Sequence, residues 1–204
     1  MKTGIAAVFG TALLALALPA QAATVQFSNF DAITSPDFAV QGYTIIPSAD
    51  GWLAGDNGIE IQHDNVAGRS FSGLNHVELD TTANSRMFYA LGAGRYKVSY
   101  WYSPRPGVGS GSNGIDLRIG GTLLDSITGN GGGDTVWQKR IVSFATLGDT
   151  LRFQATGTSD GLGGYLDNIR VSTVPEPGAW ALMIIGFGFV GLSSRRKHQR
   201  AVAA

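Results

Sequence analysis

No cysteine occurs in the 204 residues. That absence excludes thiol catalysis and cysteine-ligated zinc, and it leaves the chain without disulfides. Such a chain must rest on its core, or on a metal ion. Charge is scarce, at 15% Asp, Glu, Lys and Arg, and neither sign dominates, with 15 bases against 15 acids. Lys2, Arg195, Arg196, Lys197 and Arg200 account for five of the bases and Glu176 for one of the acids, so residues 24–174 sit near −4. This balance argues against nucleic acid as a partner, because phosphate binding wants a basic surface. The three histidines, His63, His76 and His198, are scattered. No His-Glu-x-x-His is present, so the common zinc-protease signature is missing. Helix-period apolar patterns are absent between the two ends, and no internal repeat or regular Thr-x-Thr array occurs.

What is present begins at the ends. Lys2, an apolar run from Ile5 to Leu18 and then Pro19-Ala20-Gln21-Ala22 read as a secretory signal peptide over residues 1–23. At the other end Val174-Pro175-Glu176-Pro177 precedes an apolar run from Ala179 to Leu192, and Arg195, Arg196 and Lys197 follow. Pro175 and Pro177 fix φ and lack a donor, which keeps Glu176 extended and accessible. The apolar run spans about 20 Å as a helix, short of a hydrocarbon core of about 30 Å, so flanking residues or local thinning must make up the difference. Gly186, Gly188 and Gly191 suit close approach to another helix. The basic cluster should stay cytoplasmic, which puts Pro175-Glu176-Pro177 on the outer side.

This tail resembles the PEP-CTERM sorting signal of Gram-negative bacteria, in the variant with Trp180-Ala181 after the second proline and Gly186-Phe187-Gly188 in the apolar run. Leu182 stands where Met is common, and residues 197–204 extend past the arginine pair. The resemblance implies recognition at Pro175, Glu176 and Pro177 by an exosortase, an integral-membrane cysteine protease. It also implies an inner-membrane-held precursor and a mature form at the cell surface or outside the cell, often in exopolysaccharide producers. The same kind of tail occurs on some ice-binding proteins, so a label of that kind would describe residues 174–204 and not the middle. An ordinary C-terminal membrane anchor is the alternative reading.

Residues 24–173 read as one all-β domain. Glycine is abundant, at 29 residues, and separates short alternating runs. Tyr96, Val98, Tyr100 and Tyr102 alternate with Lys97, Ser99 and Trp101, while Ile115, Leu117 and Ile119, and Leu151, Phe153 and Ala155, alternate with polar residues. Further strands are expected near 25–30, 43–46, 58–62, 76–80, 86–91, 136–144 and 166–171. About ten short strands and no helix predict an antiparallel β-sandwich of jelly-roll type. The stretch 104–114 reads as a flexible loop and not a phosphate cradle, since it lacks the Lys-Ser/Thr of a P-loop. Gly51-Trp52, Gly58-Ile59-Glu60-Ile61, Val77-Glu78-Leu79-Asp80, Tyr100-Trp101-Tyr102-Ser103-Pro104-Arg105-Pro106, Asn113 and Gly163-Gly164-Tyr165-Leu166-Asp167-Asn168-Ile169 occur in the order seen in DUF642 and choice-of-anchor domains. The middle therefore resembles galactose-binding-like sandwiches and carbohydrate-binding modules. Phe30-Asp31 stands where that group has Asn-Gly-x-Phe-Glu.

Period 2 places Tyr165, Asp167, Ile169 and Val171 on one face, with Ile169 and Val171 toward the core, so Asp167 should lie near the buried side. A buried carboxylate needs donors, an arginine or a cation. The resemblance implies a structural Ca²⁺ at Asp167, with Asp31 as a second contributor; the alternative is a carboxylate that caps a turn or pairs with an arginine. Trp52 and Trp101 are candidate sugar platforms and Trp137 sits among polar residues; a core or rim role is the alternative for each. Arg105 and Asn113 could bond a polar ligand or pin the loop between them. Glu60, Glu78 and Asp80 could in principle act as paired carboxylates, but Glu78 and Asp80 on the polar face of a strand would ordinarily be solvated. The functional expectation is an exported, non-catalytic surface or matrix protein that binds carbohydrate such as exopolysaccharide. A purely structural surface protein and a glycoside-active enzyme are the alternatives.

Overall fold

Alternating runs become strands because one face of each can be filled with aromatic and branched side chains while the other meets water. In a computed structural model, which describes residues 22–175 and 185–187, they are β1 (Thr24–Ser28), β2 (Tyr43–Ile46), β3 (Ser48–Ala49), β4 (Trp52–Ala54), β5 (Ile59–His63), β6 (Asn75–Glu78), β7 (Arg86–Ser103), β8 (Gly114–Ile119), β9 (Thr122–Ile127), β10 (Gln138–Thr156) and β11 (Tyr165–Thr173). Every strand pairing is antiparallel.

β7 and β10 run beside each other from Gln138↔Tyr102 to Gln154↔Arg86. The C-terminal half of β7 carries β11, and β6, β5 and β2 follow outward. The N-terminal half of β7 carries β4, while the C-terminal half of β10 carries β8 and β9. The two long strands thus serve both layers of one curled sheet. Gly92, Gly94 and Gly148 lie between the two sets of partners, and Gly148 has φ 111°, a conformation that suits glycine. Between the layers lie Trp52, Ile59, Ile61, Val77, Tyr100, Tyr102, Leu117, Phe153, Leu166, Ile169 and Val171, all fully buried. Full burial of a large apolar side chain contributes about 1.5–3 kcal/mol, and residues 22–174 form one compact unit around this core.

The structure is the antiparallel β-sandwich that the alternation predicts, with four differences. The runs at 86–91 and 96–102 are one strand, as are those at 136–144 and 151–155, because the glycines between them bend a strand without ending it. The short strands β3 and β4, and β9, carry too little alternation to stand out. A single 3-10 turn, Pro36–Ala39, is capped by Ser35 through the Asp37 amide. The fourth difference is in β11. Its register against β7 shifts between Asp167 and Arg170, where Asn168 has φ 46°. A bulge inverts the alternation beyond it. Leu166 faces the core opposite Tyr102, and Ile169 and Val171 face it too, but Tyr165 and Asp167 point to the outer face, opposite Ser103 and Trp101.

The two ends of this unit meet. The Thr173 amide donates to the Ala23 carbonyl at 2.8 Å, the Ala23 amide to Thr173 Oγ1 at 3.1 Å, and the Val174 amide to the Arg95 carbonyl at 2.8 Å. The expected signal peptide, save residues 22 and 23, lies outside the described residues, as do Glu176, Pro177 and the Ala179–Leu192 run save residues 185–187, which are helical. Among the described residues no helix is long and apolar enough to cross a membrane.

Candidate functional site

The outer face of the layer β5-β6-β11-β7-β10 carries two adjoining groups of side chains. On β7 and β10 lies an aromatic shelf. Trp101 stands opposite Lys139 on one side and Asp167 on the other. Phe71, from the loop 64–74, stacks on Trp101 with ring centroids 3.8 Å apart and planes 16° from parallel. Trp137 meets Phe71 edge-on at 6.3 Å and His76 edge-on at 6.0 Å, and Lys139 Nζ lies 6.0 Å from the Trp101 ring. Phe71 is exposed, and Trp101 and Trp137 are half-buried.

Each ring is held by its backbone. Asp167 Oδ2 accepts the amides of Phe71 and Ser72 at 3.0 and 3.1 Å, and its Oδ1 accepts the Asn168 amide at 2.6 Å. Asp31 clasps the far end of the same loop: Oδ1 accepts the amides of Leu74 and Asn75, and Oδ2 accepts Asn29 Nδ2 at 2.8 Å. Burial pushes the Asp167 carboxyl up to about 7, and the nearby charge of Asp31 adds to the rise while the amide donors oppose it. Trp137 Nε1 and Thr135 Oγ1 both donate to the Arg69 carbonyl, and the Val136 amide donates to Ser103 Oγ. Gly68, at φ 154°, sits where a Cβ would meet Thr135 and Pro106 at 2.5 and 2.9 Å, so only glycine lets the three loops converge there.

On β5, β6 and the start of β11 lies a buried polar cluster. Glu60 stands opposite Glu78, Gln62 opposite His76, and Glu78 opposite Tyr165. Gln62 Nε2 donates to Glu60 Oε1 at 2.9 Å and also to Glu78 Oε2. Arg105 reaches down from the loop 104–113 to pair with Glu78, whose other oxygen accepts the Gly163 amide. Burial raises the Glu60 carboxyl and holds that of Glu78 well above the usual range, against the pull of Arg105. His76 is driven down to about 3 by burial and by Arg105, so it is neutral. Both His76 ring nitrogens, Gln62 Oε1 and the Tyr165 hydroxyl have no hydrogen-bond partner among the described residues. His76 packs on Tyr165 at 4.4 Å, which links the cluster to the shelf through Trp137.

These positions correct several expectations. Trp52 is fully buried, packs against Phe153 at 5.6 Å and donates Nε1 to Ser28 Oγ, so it is core and offers no face to a ligand. Asn113 is also fully buried. Its Oδ1 accepts the Arg105 amide and its Nδ2 serves the carbonyls of Val108, Gly109 and Gly129, which makes it the pin of the loop and leaves that loop well tied. Arg105 points inward to Glu78. Glu78 and Asp80 are fully buried, not solvated, because the loops 104–113 and 157–164 cover this half of the sheet; Asp80 Oδ2 accepts the amides of Asp160, Gly161 and Leu162. Trp101 alone among the four expected ligand residues reaches the surface of the shelf. Phe71 and His76 escaped the sequence reading, since an isolated aromatic in a Gly-Ser loop and a lone histidine carry no pattern.

Asp31 and Asp167 do approach one loop together. Calcium takes six to eight oxygens, and this pair brings four, of which Asp31 Oδ2 and Asp167 Oδ1 each accept one hydrogen bond and keep one lone pair. Among the described residues no group of three or more His, Asp or Glu gathers as a metal centre.

The class defined by this architecture is an antiparallel β-sandwich with loops folded over one outer face. The K2 cleaved adhesin domain of Lys-gingipain shows it directly: 18% identical, it matches over 76% of this chain and 98% of its own, with a TM-score of 0.52. A family 35 carbohydrate binding module from Clostridium thermocellum matches at 15% identity over 63% of this chain and 96% of its own, TM-score 0.41. The CBM22-1 xylan-binding domain from Paenibacillus barcinonensis matches at 11% over 75% and 96%, TM-score 0.47. No curated protein matches the chain. Beyond the sandwich, residues 173–197 match the PEP-CTERM protein-sorting motif, so the chain carries that tag and is an exported protein.

Proposed function

We propose that this is a non-catalytic surface or extracellular protein, sorted through its C-terminal tag by an exosortase-type membrane protease, whose sandwich binds carbohydrate on the shelf. The membrane-held form is the precursor. The observation that carries the binding reading is the Phe71–Trp101–Trp137 group. Pyranose rings present C–H faces that pack on aromatic faces, and a few polar groups beside them fix orientation. Here Lys139 and the rim of the Gly-rich loop 128–134 supply those groups. The buried carboxylates do not favour catalysis. Glu60 and Glu78 share one Gln62 amide under Arg105, whereas glycoside hydrolysis needs two carboxyls flanking a bound bond, about 5–9.5 Å apart. The test is affinity for a glycan panel, including the polysaccharide of the producing cell, by residues 22–174 and by Trp101→Ala. We expect binding, and about tenfold loss in the variant. Absence of affinity for every glycan, together with self-association, would favour a purely structural role.

The same reading includes a calcium ion at Asp31 and Asp167, where it would relieve the repulsion between the two carboxylates and brace the loop that carries Phe71. A ligand that binds only the folded state raises its stability. Thermal unfolding in calcium against EGTA should show a higher midpoint in calcium, lost in Asp167→Asn. Equal midpoints would leave the two carboxylates as amide clasps alone.

A further inference from the structure

The open half of the face that bears the shelf exposes cations, in a domain whose net charge is near −4. Below Trp101 and Lys139, β7 and its neighbours present two more outward rows. Ser99 lies between Ile141 and Arg170, and Lys97 between Ser143 and Ser172. Lys97, Lys139 and Arg170 are exposed, and among the described residues none is in a salt bridge. Arg170 instead lies over the Phe27 ring at 4.5 Å and donates to Thr24 Oγ1. Successive rows on one strand face are about 7 Å apart, so the three cations and Trp101 fit within a strip about 15 Å long.

No exposed carboxylate shares those rows. Asp167 is the acid there, and it is fully buried beneath the loop 64–74. Asp134, on the rim loop, is engaged with the amide of its neighbour Thr135. The other salt-bridge arginines, Arg86, Arg118 and Arg140, are each matched to an aspartate elsewhere. In a domain near −4, three unmatched cations in line with an aromatic shelf form a local positive field.

We infer that the strip from Trp101 to Lys97 binds an acidic polysaccharide, a polymer with a carboxylate on successive sugar units. One sugar packs on the shelf and the chain runs down the strand face, its carboxylates against Lys139, Arg170 and Lys97. The inference rests on the carbohydrate reading of the shelf and adds the charge class of the ligand. Phe71 lies flat on the half-buried Trp101 and Trp137 stands edge-on to it, an arrangement that suits stacking on a polymer more than insertion between lipids.

Polygalacturonate and its methyl-esterified form share a backbone and differ in charge, so they separate the two claims. With residues 22–174 in EGTA, we expect the acid form to bind at least about tenfold more tightly than the ester. That preference should fade as salt rises from about 50 to 300 mM. The triple variant Lys97→Glu, Lys139→Glu, Arg170→Glu, all surface positions, should bind both forms equally, and Trp101→Ala should weaken both. Equal binding of the acid and ester by the parent chain would overturn the charge inference and leave the carbohydrate reading standing. Binding to neither polymer, nor to the glycan panel, would sink both. Capture by phosphatidylglycerol vesicles without polymer binding would do the same and point to a membrane surface.

Discussion

One outer sheet face shows two opposite solutions to the same geometry. On β5 and β6 the side chains are Glu60, Gln62, His76 and Glu78, and the loops above them are closed. On β7 and β10 they are Trp101, Lys97, Lys139 and Ile141, and most of the face is open. Polar residues do not by themselves mark the wet half, nor aromatic ones the dry half. What decides exposure is the loop overhead: Arg105 and Asn113 close the first half, while Asp167 and Asp31 hold the loop that sets Phe71 on the edge of the second. The closed half is suited to rigidity and the open half to contact.

The contrast can be broken first at its most buried pair. Glu78→Ala leaves Arg105 without its partner, and removal of one member of a buried pair costs about 3–5 kcal/mol. Lys139→Ala in the open half should stay within about 0.5 kcal/mol. Urea unfolding of the two variants measures the difference, and similar losses would mean that the two halves are equally bound into the fold.

A second test uses pH. The Asp167 carboxyl is raised to about 7 in the folded protein, so the folded state holds its proton more tightly than the unfolded chain does. Its stabilising effect is complete below the unfolded value near 4 and is lost as pH rises through 7. His76, lowered to about 3, acts in the other direction: its contribution is present above about 6.5 and fades as pH falls toward 3. In EGTA, Asp167→Asn should therefore flatten the fall in stability as pH rises from about 4 to 7, and His76→Gln should flatten the fall as pH drops from about 6.5 to 3. Unaltered pH profiles in both variants would remove the two groups from the stability balance.

The smallest effect concerns the bulge. Asn168 holds φ 46°, which asparagine tolerates and glycine prefers. Asn168→Gly should be nearly neutral, whereas Asn168→Ala should cost about 1 kcal/mol and Asn168→Val more. Chemical denaturation of the three resolves the order, and indifference to all three would argue for a plain strand there.

Much of the fold was legible because alternation is a local signal. β2 is found at the predicted residues, and β1, β5, β8 and β11 within a few residues of them. The site was less so, for two physical reasons. Tyr165-Leu166-Asp167-Asn168-Ile169 reads as unbroken period 2, and nothing in it announces that Asn168 will turn left-handed and send Asp167 to the outer face. The residues that form the shelf come from positions 71, 101 and 137, which only the closed sheet brings together. Burial of Glu60 and Glu78 was likewise hidden, since charged residues at strand positions are normally solvated and the cover arrives from loops far along the chain.

The meeting of Ala23, Thr173, Val174 and Arg95 at one end of β11 has a mechanical consequence. Trp101 lies about 20 Å away along β7 from Arg95, at roughly 3.3 Å per residue. A domain held by its C-terminal end while its shelf grips a polymer is pulled along the strand axis. Tension then runs lengthwise through β11 and β7, and their ladder of hydrogen bonds is loaded in shear, many at once, instead of being unzipped one by one.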